Sequence, residues 1–128
     1  MSLHLPLTAA TRGIIGPAEL ARMPAHAVLV NTSRGGLVDE PALVHALRAG
    51  GIRAAALDVF AGEPRLPDGL AALPNVVLTP HIGGLSERSI ARMTERATDH
   101  VLAVLAGRPD PGCVANPAVL DHLEAAVS

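Results

Sequence analysis

The chain has 128 residues, a formal net charge of −2 at pH 7 and 49% apolar residues, yet Phe60 is its only aromatic residue. This length is typical of one domain, and its core must be built from aliphatic side chains. The ten basic residues are all arginines and are scattered along the chain. Without a basic patch or aromatic platforms for stacking, composition argues against nucleic-acid binding.

A cytoplasmic location is expected from two features of the sequence. Cys113 is the only cysteine, so no disulfide can form within the chain, which is typical of a reducing compartment. The first residues, Met1 to His4, do not resemble a secretion signal, and no apolar stretch is long enough to span a bilayer. No membrane partner is therefore expected.

The first half of the chain predicts an extended segment, a short helix and a buried strand. Leu3–Leu7 is the extended segment, in which Pro6 prevents a long central strand. The helix begins at Gly16–Pro17 and ends at Met23–Pro24. Ala27–Asn31 is apolar up to its last residue, which is typical of a buried strand.

A second helix and two further strands follow. Asp39 is the predicted N-cap of the helix, and Gly50–Gly51 ends it. The strands are predicted at Ala54–Val59 and Val76–Thr79. A loop rich in glycine and proline, Ala61–Gly69, lies between them and is followed by a short turn.

The last part of the chain predicts a long amphipathic helix capped by Ser86 and closed at Gly107–Pro109. Asn116–Pro117 begins a short terminal helix that is predicted to run through Leu123. The apolar residues of the long helix recur at intervals of three and four: Ile90, Met93, Ala97, Val101 and Val104.

Alternating strands and helices predict an α/β fold with a parallel sheet of three to four strands flanked by helices. Parallel strands have their carboxyl ends at one edge of the sheet, where ligands of such folds bind. Arg34, Glu63 and His81 follow predicted strands, and Asp58 lies at the end of one. The sequence therefore predicts one functional edge that carries an arginine, two carboxylates and a histidine.

Four segments together resemble the D-isomer-specific 2-hydroxyacid dehydrogenases, which depend on NAD or NADP. The resemblance runs from about Leu3 to Asn116, in family order and with family spacing, and it implies a partial Rossmann-like sheet. The segments are Leu3–Thr8 with Thr11, Val30–Asp39, Leu57–Phe60 with Glu63–Pro64, and Asn75–Gly84.

The family also carries a Gly-x-Gly-x-x-Gly turn that is not found in these 128 residues. By this resemblance, residues 1–88 are expected to be the C-terminal half of an NAD(P)-binding domain. Residues 89–128 are expected to be a connecting helix and a tail that return to a substrate domain. The chain is thus interpreted as a fragment of the enzyme, and we expect it to be inactive alone.

The resemblance implies a catalytic role for three residues. Arg34 would hold the carboxylate of a small 2-keto or 2-hydroxy acid, because its guanidinium can bind both carboxylate oxygens. His81 would exchange a proton with the substrate, and Glu63 would orient the histidine ring. From the residues alone, a surface arginine is an equally open alternative for Arg34, whereas a capping histidine and a loop glutamate are the favoured interpretation of His81 and Glu63.

The resemblance also implies a nicotinamide site. Asp58 would accept hydrogen bonds from the carboxamide of the nicotinamide. Gly83 and Gly84 would let the backbone approach the ligand, and a plain loop before Ser86 is the alternative for these two glycines. No metal site is expected, since no histidines have the spacing of metal ligands. The implied cofactor-binding residues are His4, Pro6, Thr32, Asp58, His81, Gly83 and Gly84.

A second function remains open, that of a non-catalytic interaction or dimerisation module. An unpaired edge of the Leu3–Leu7 segment and the long helix from Ser86 favour association with another chain, so a homodimer is expected. The sequence leaves the particular 2-hydroxy acid, and the choice between NAD and NADP, undecided.

Overall fold

The computed structural model describes residues 1–120. The chain divides into two compact units, Met1–Gly83 and a second unit that begins at Gly84. The first unit contains the sheet, and the second contains the long helix. Among the described residues, no helix is both long and apolar enough to cross a membrane.

The sheet of the first unit has four parallel strands that lie side by side in sequence order. Its register is regular: Val30 pairs with Ser2 on one side and with Ala56 on the other. The predicted α/β class with a small parallel sheet is therefore confirmed. The strands are β1 (Ser2–Leu3), β2 (Val28–Asn31), β3 (Ala54–Leu57) and β4 (Val76–Leu78).

Two helices of this unit begin and end where the sequence predicts. Helix α1 spans Pro17–Arg22 and helix α2 spans Glu40–Arg48. The Asp39 carboxylate caps α2 by accepting a 2.9 Å hydrogen bond from the Ala42 amide. Gly50 follows α2 with a φ of +69°, a conformation that glycine adopts without strain.

The core of the first unit is aliphatic, as composition requires. Phe60, its one aromatic residue, is also buried, at 7% exposure. Helix α2 contributes its apolar face, Leu43, Val44 and Leu47, to this core. The most deeply buried side chains are Leu29, Leu37, Leu43 and Leu70.

Three of the four strands end earlier than predicted, because polar groups take over at their carboxyl ends, whereas β2 ends at Asn31 as predicted. Strand β1 stops at Leu3 rather than Leu7, where the Ser33 hydroxyl donates to the Leu3 carbonyl at 3.1 Å. Strand β3 stops at Leu57 rather than Val59, and β4 at Leu78 rather than Thr79. The side chains of Asp58 and Thr79, directly after these strands, hydrogen-bond each other.

The second unit consists mainly of helix α3, Glu87–Leu105. Ser86 caps it by accepting from the Ser89 amide at 3.1 Å, and Gly107, at a φ of +68°, follows its end, as predicted. The terminal helix begins as a 3₁₀ turn, Pro117–Val119, and its predicted end at Leu123 lies outside the described residues. None of the residues of α3 is buried. Its exposed apolar residues are Ile90, Met93, Val101, Leu102, Val104 and Leu105.

Candidate active site

The predicted catalytic residues follow the carboxyl ends of three adjacent strands. Arg34 follows β2, Glu63 follows β3 and His81 follows β4. The strands are parallel, so the three loops leave the same edge of the sheet. Glu63 and His81 are in direct contact, with 2.8 Å between the Glu63 Oε2 and His81 Nδ1 atoms.

Both oxygens of the Glu63 carboxylate are engaged. Oε2 faces His81, and Oε1 accepts a 2.8 Å hydrogen bond from the Phe60 amide. The bond to His81 is the main reason why the pKa of Glu63 is lowered, and the Phe60 amide and the charges of His81 and Arg34 act in the same direction. Glu63 is therefore ionised at neutral pH and can only accept hydrogen bonds.

This ionisation determines which nitrogen of His81 carries a proton. Because the carboxylate is an acceptor, we assign the proton of the neutral ring to Nδ1, the nitrogen that faces Glu63. Nε2 is then the nitrogen that can accept a proton from another group. The His81 side chain is 49% exposed, so Nε2 can be reached from solvent.

Arg34 is held near this pair by its backbone. Its carbonyl oxygen accepts a 2.9 Å hydrogen bond from Asn31 Nδ2, and its own guanidinium donates to the Ser33 carbonyl at 2.6 Å. The guanidinium is exposed and is close enough to help lower the pKa of Glu63. Its donors make no hydrogen bond to Glu63 or His81 among the described residues.

The His81 backbone adopts a left-handed conformation, with a φ of +57°. A side chain other than glycine in this region costs about 1–3 kcal/mol unless its surroundings compensate. The compensation is visible in the next two amides, since Ile82 and Gly83 donate to the Asp58 carboxylate at 2.9 and 2.7 Å. Asp58 thus fixes the loop that carries His81.

Asp58 is buried, at 5% exposure, and is nevertheless suited to remain ionised. Burial raises its pKa, but the Thr79 hydroxyl, the two loop amides and the charge of His81 together lower it below the usual range. Oδ1 accepts from Thr79 and Ile82, whereas Oδ2 accepts from Gly83 alone among the described residues. Oδ2 therefore retains capacity for one further donor.

The other predicted cofactor residues are only partly brought together. Thr32 is exposed and lies beside Gly83, where an added Cβ would be 3.9 Å from the Thr32 Cβ and 2.8 Å from Asp58 Oδ2. His4 and Pro6 follow β1 at the same edge. The His4 ring is hydrogen-bonded to the Ser2 hydroxyl, and the Pro6 carbonyl accepts from the Thr11 hydroxyl. Gly84 belongs to the second unit.

A cavity of about 440 Å³ lies beside the Glu63–His81 pair. Its walls are mainly apolar, and its volume is within the usual range for small-molecule sites, about 300–1,000 Å³. It is lined by Phe60, Glu63, Pro64, Leu66, Leu78, Thr79, Pro80 and His81.

Three residues that support this edge were not predicted from the sequence. Asn31 is fully buried. The sequence did indicate a supporting role for it, because it is a polar residue at the end of an apolar strand, three positions before Arg34. Thr79 and Glu40 gave no such signal, because their partners lie 21 residues away. Within residues 1–120, no group of three or more His, Cys, Asp or Glu side chains could hold a metal ion.

Comparison with known proteins identifies the family. The family described as "D-isomer specific 2-hydroxyacid dehydrogenase, NAD binding domain" matches residues 1–83. The chain belongs to this family. It is 47% identical over 124 residues to glyoxylate/hydroxypyruvate reductase B of Yersinia enterocolitica, a match that covers 95% of this chain but only 37% of that protein.

Solved structures agree with this assignment. The D-lactate dehydrogenase of Lactobacillus jensenii with NAD+ is 36% identical, with a TM-score of 0.74, over 84% of this chain and 36% of its own. An NADPH-dependent glyoxylate/hydroxypyruvate reductase of Sinorhizobium meliloti, in complex with NADP and malonate, is 38% identical, with a TM-score of 0.75, over 80% and 32%. The chain therefore spans about a third of these relatives, and its Rossmann-like fold is confirmed.

Proposed function

We propose that this chain supplies the nicotinamide side of the active site of an NAD(P)-dependent D-2-hydroxyacid dehydrogenase. Such an enzyme interconverts a small 2-keto acid and the corresponding 2-hydroxy acid. The observation that carries the proposal is the 2.8 Å contact between Glu63 and His81, at the sheet edge that also carries Arg34. Family membership supports it.

The residues at this edge fit the nicotinamide end of NAD or NADP. Asp58 Oδ2 has room for one donor such as a carboxamide, and the glycine at position 83 keeps this oxygen uncrowded, because an added Cβ would lie 2.8 Å from it. When bound, the nicotinamide would donate or accept the hydride. His4, Pro6 and Thr32 are proposed to line the same ligand, whereas a contact from Gly84 stays a sequence-based prediction.

We propose that Arg34 binds the carboxylate of the substrate. Its guanidinium offers a planar pair of donors that matches two carboxylate oxygens, and it is exposed at the sheet edge. Binding there would orient the 2-keto group relative to His81.

We propose that His81 transfers the proton. In the direction of reduction, protonated His81 would donate the proton of Nε2 to the oxygen of the keto group as the hydride reaches the carbon. The neutral ring that remains keeps its proton on Nδ1, which donates to Glu63, so the carboxylate fixes the orientation of the ring throughout the transfer. In the reverse direction, Nε2 would accept the hydroxyl proton.

The chain alone is proposed to be inactive. The glycine-rich turn that binds the cofactor pyrophosphate in this family is not found in its 128 residues. Titration of NADH into the purified chain should therefore give a dissociation constant weaker than about 1 mM. A micromolar constant, about −8 kcal/mol of binding free energy, would contradict this expectation.

The catalytic roles can be tested in a chimera. The matching 124 residues of the Yersinia enterocolitica reductase would be replaced by those of this chain, and reduction of glyoxylate and hydroxypyruvate by NADH and NADPH would be measured. We expect an active chimera in which His81→Gln and Arg34→Lys lower kcat/KM by about 100-fold or more. Arg22→Lys, at the end of α1, is the matched control and should have no effect.

Retained activity of His81→Gln would contradict the proposed mechanism. A folded chimera that binds NADPH but reduces none of the 2-keto acids would favour the alternative, a non-catalytic interaction or dimerisation module.

The exposed apolar residues of α3 favour this second function, and they also support the proposed homodimer. Sedimentation equilibrium should show a dimer, and a monomer at high concentration would refute it. A cytoplasmic location, supported by the single cysteine, stays part of the proposal.

A further inference from the structure

Glu40 is the first residue of α2, but its carboxylate binds a different segment of the chain. Asp39 already caps the helix. The Glu40 Oε1 atom instead accepts a 2.7 Å hydrogen bond from the Ala61 amide, 21 residues further along. Ala61 lies in the loop that leads from β3 to Glu63, so α2 is tied directly to that loop.

The preceding amide of the same loop is held by Glu63 itself. Glu63 Oε1 accepts from the Phe60 amide at 2.8 Å, while its other oxygen binds His81. Two consecutive amides, those of Phe60 and Ala61, are thus bound by two carboxylates. The position of this backbone segment determines where Glu63 places its second oxygen, and therefore where it holds the His81 ring.

Close packing fixes the same segment. Gly35, the residue after Arg34, lies so near the Phe60–Ala61 peptide that an added Cβ would be 1.9 Å from the Phe60 carbonyl carbon. The turn that carries Arg34 and the loop that carries Glu63 therefore meet at this peptide. Glu40 contributes the one side-chain hydrogen bond to Ala61 at this meeting point among the described residues.

We propose that Glu40 is a positioning residue for the Glu63–His81 pair: its carboxylate holds the Ala61 amide and so sets the orientation of Glu63. The catalytic meaning of this role rests on the proposed function, but the role itself can be measured without catalysis. The electrostatics agree. Burial raises the pKa of Glu40, as does the nearby charge of Glu63, and the Ala61 hydrogen bond opposes them. This hydrogen bond therefore offsets the cost of placing the two carboxylates close together.

The test is an NMR titration of the full 128-residue chain, in which the side-chain carboxyl carbons of Glu40 and Glu63 are followed. In the wild type, the shift of the Ala61 amide proton should follow the titration of Glu40. Two variants separate charge from hydrogen bonding. Glu40→Gln removes the charge but keeps an oxygen acceptor, whereas Glu40→Ala removes both.

We expect the Ala61 amide to exchange with solvent several-fold faster in Glu40→Ala, and to keep its wild-type rate in Glu40→Gln. The pKa of Glu63 should be higher in Glu40→Ala than in Glu40→Gln by about 0.5 pH unit, because a displaced carboxylate loses part of its bonding to Phe60 and His81. Glu19→Ala is the matched control, since Glu19 also accepts a backbone amide in the first turn of a helix, α1. It should leave both readouts unchanged.

Equal Glu63 pKa values in the two Glu40 variants would overturn the proposal, since only the charge of Glu40 would then matter. An Ala61 amide shift in the wild type that does not follow Glu40 would overturn it as well, and this arm requires no variant to fold. Neither measurement depends on NAD(P) binding or turnover. An inactive chimera would therefore count against the proposed function but not against the positioning role of Glu40, so the two failures can be told apart.

Discussion

Replacement of Gly35 by alanine tests the packing that joins the Arg34 turn to the Glu63 loop. The added methyl group would lie 1.9 Å from the Phe60 carbonyl carbon and 2.3 Å from both the Phe60 oxygen and the Ala61 nitrogen. All three atoms belong to the backbone, so no side chain can rotate away. The peptide would have to move by about 1.5 Å to restore ordinary van der Waals contact.

The cost follows from this displacement. Overpacking of this kind typically costs about 1–3 kcal/mol. A shift of the peptide would also weaken the hydrogen bonds from Phe60 to Glu63 and from Ala61 to Glu40, each worth about 1 kcal/mol. We therefore expect Gly35→Ala to lower the free energy of unfolding by about 4 kcal/mol, and the melting temperature by about 10–15 °C.

Urea unfolding followed by far-ultraviolet circular dichroism measures this loss. Phe60 is the only phenylalanine, so fluorophenylalanine incorporation gives a single ¹⁹F resonance that reports directly on the displaced segment. Gly62→Ala is the matched control, because an added Cβ at Gly62 would meet nothing within 4 Å. Its effect should stay within about 0.5 kcal/mol. The reasoning is refuted if the two variants are equally stable.

Three further predictions concern other parts of the chain. The lowered pKa of Asp58 means that its ionised form stabilises the fold at neutral pH and that this stability is lost below about pH 4. Asp58→Asn should therefore cost about 1–3 kcal/mol at pH 7 and flatten the acid dependence of the urea midpoint. Parallel plots of urea midpoint against pH for the wild type and the variant would contradict this. Leu29 is fully buried, so Leu29→Ala should lower the free energy of unfolding in urea by about 2–5 kcal/mol. Val77 is 63% exposed, so Val77→Ala should lower it by less than about 1 kcal/mol. Similar losses in the two variants would contradict the placement of Leu29 in the core. Ser86→Ala should lower the stability of α3 by about 1 kcal/mol, seen as lost ellipticity at 222 nm on heating, and an unchanged melting curve would argue against the cap.

The elements that the sequence predicted correctly are those with local signals. The strand that ends at Asn31 is a short apolar run with helix breakers on both sides, and its class follows from that pattern. The caps Asp39 and Ser86 bind amides only three residues away, so their partners could be read from the neighbouring sequence. Such short-range hydrogen bonds determine where helices begin, whatever the rest of the fold does.

Interactions between distant residues could not be predicted in this way. The resemblance implied a cofactor role for Asp58, but the sequence did not indicate that its carboxylate accepts from amides 24 and 25 residues later. The partner of Glu40 was equally hidden, since a glutamate in the first turn of a helix is commonplace. The Leu3–Leu7 segment was predicted too long because β1 pairs with β2 only as far as Leu3↔Asn31. These features depend on which loops meet at the sheet edge.

The order of the strands has a consequence for biosynthesis. Each strand pairs with the one made just before it, so the sheet extends in a single direction, from β1 to β4. A nascent chain that leaves the ribosome can therefore dock every new strand on an edge that is already present, without opening a gap between earlier ones. Because His81 follows the last of these strands, its contact with Glu63 can form only after the chain through β4 has been synthesised.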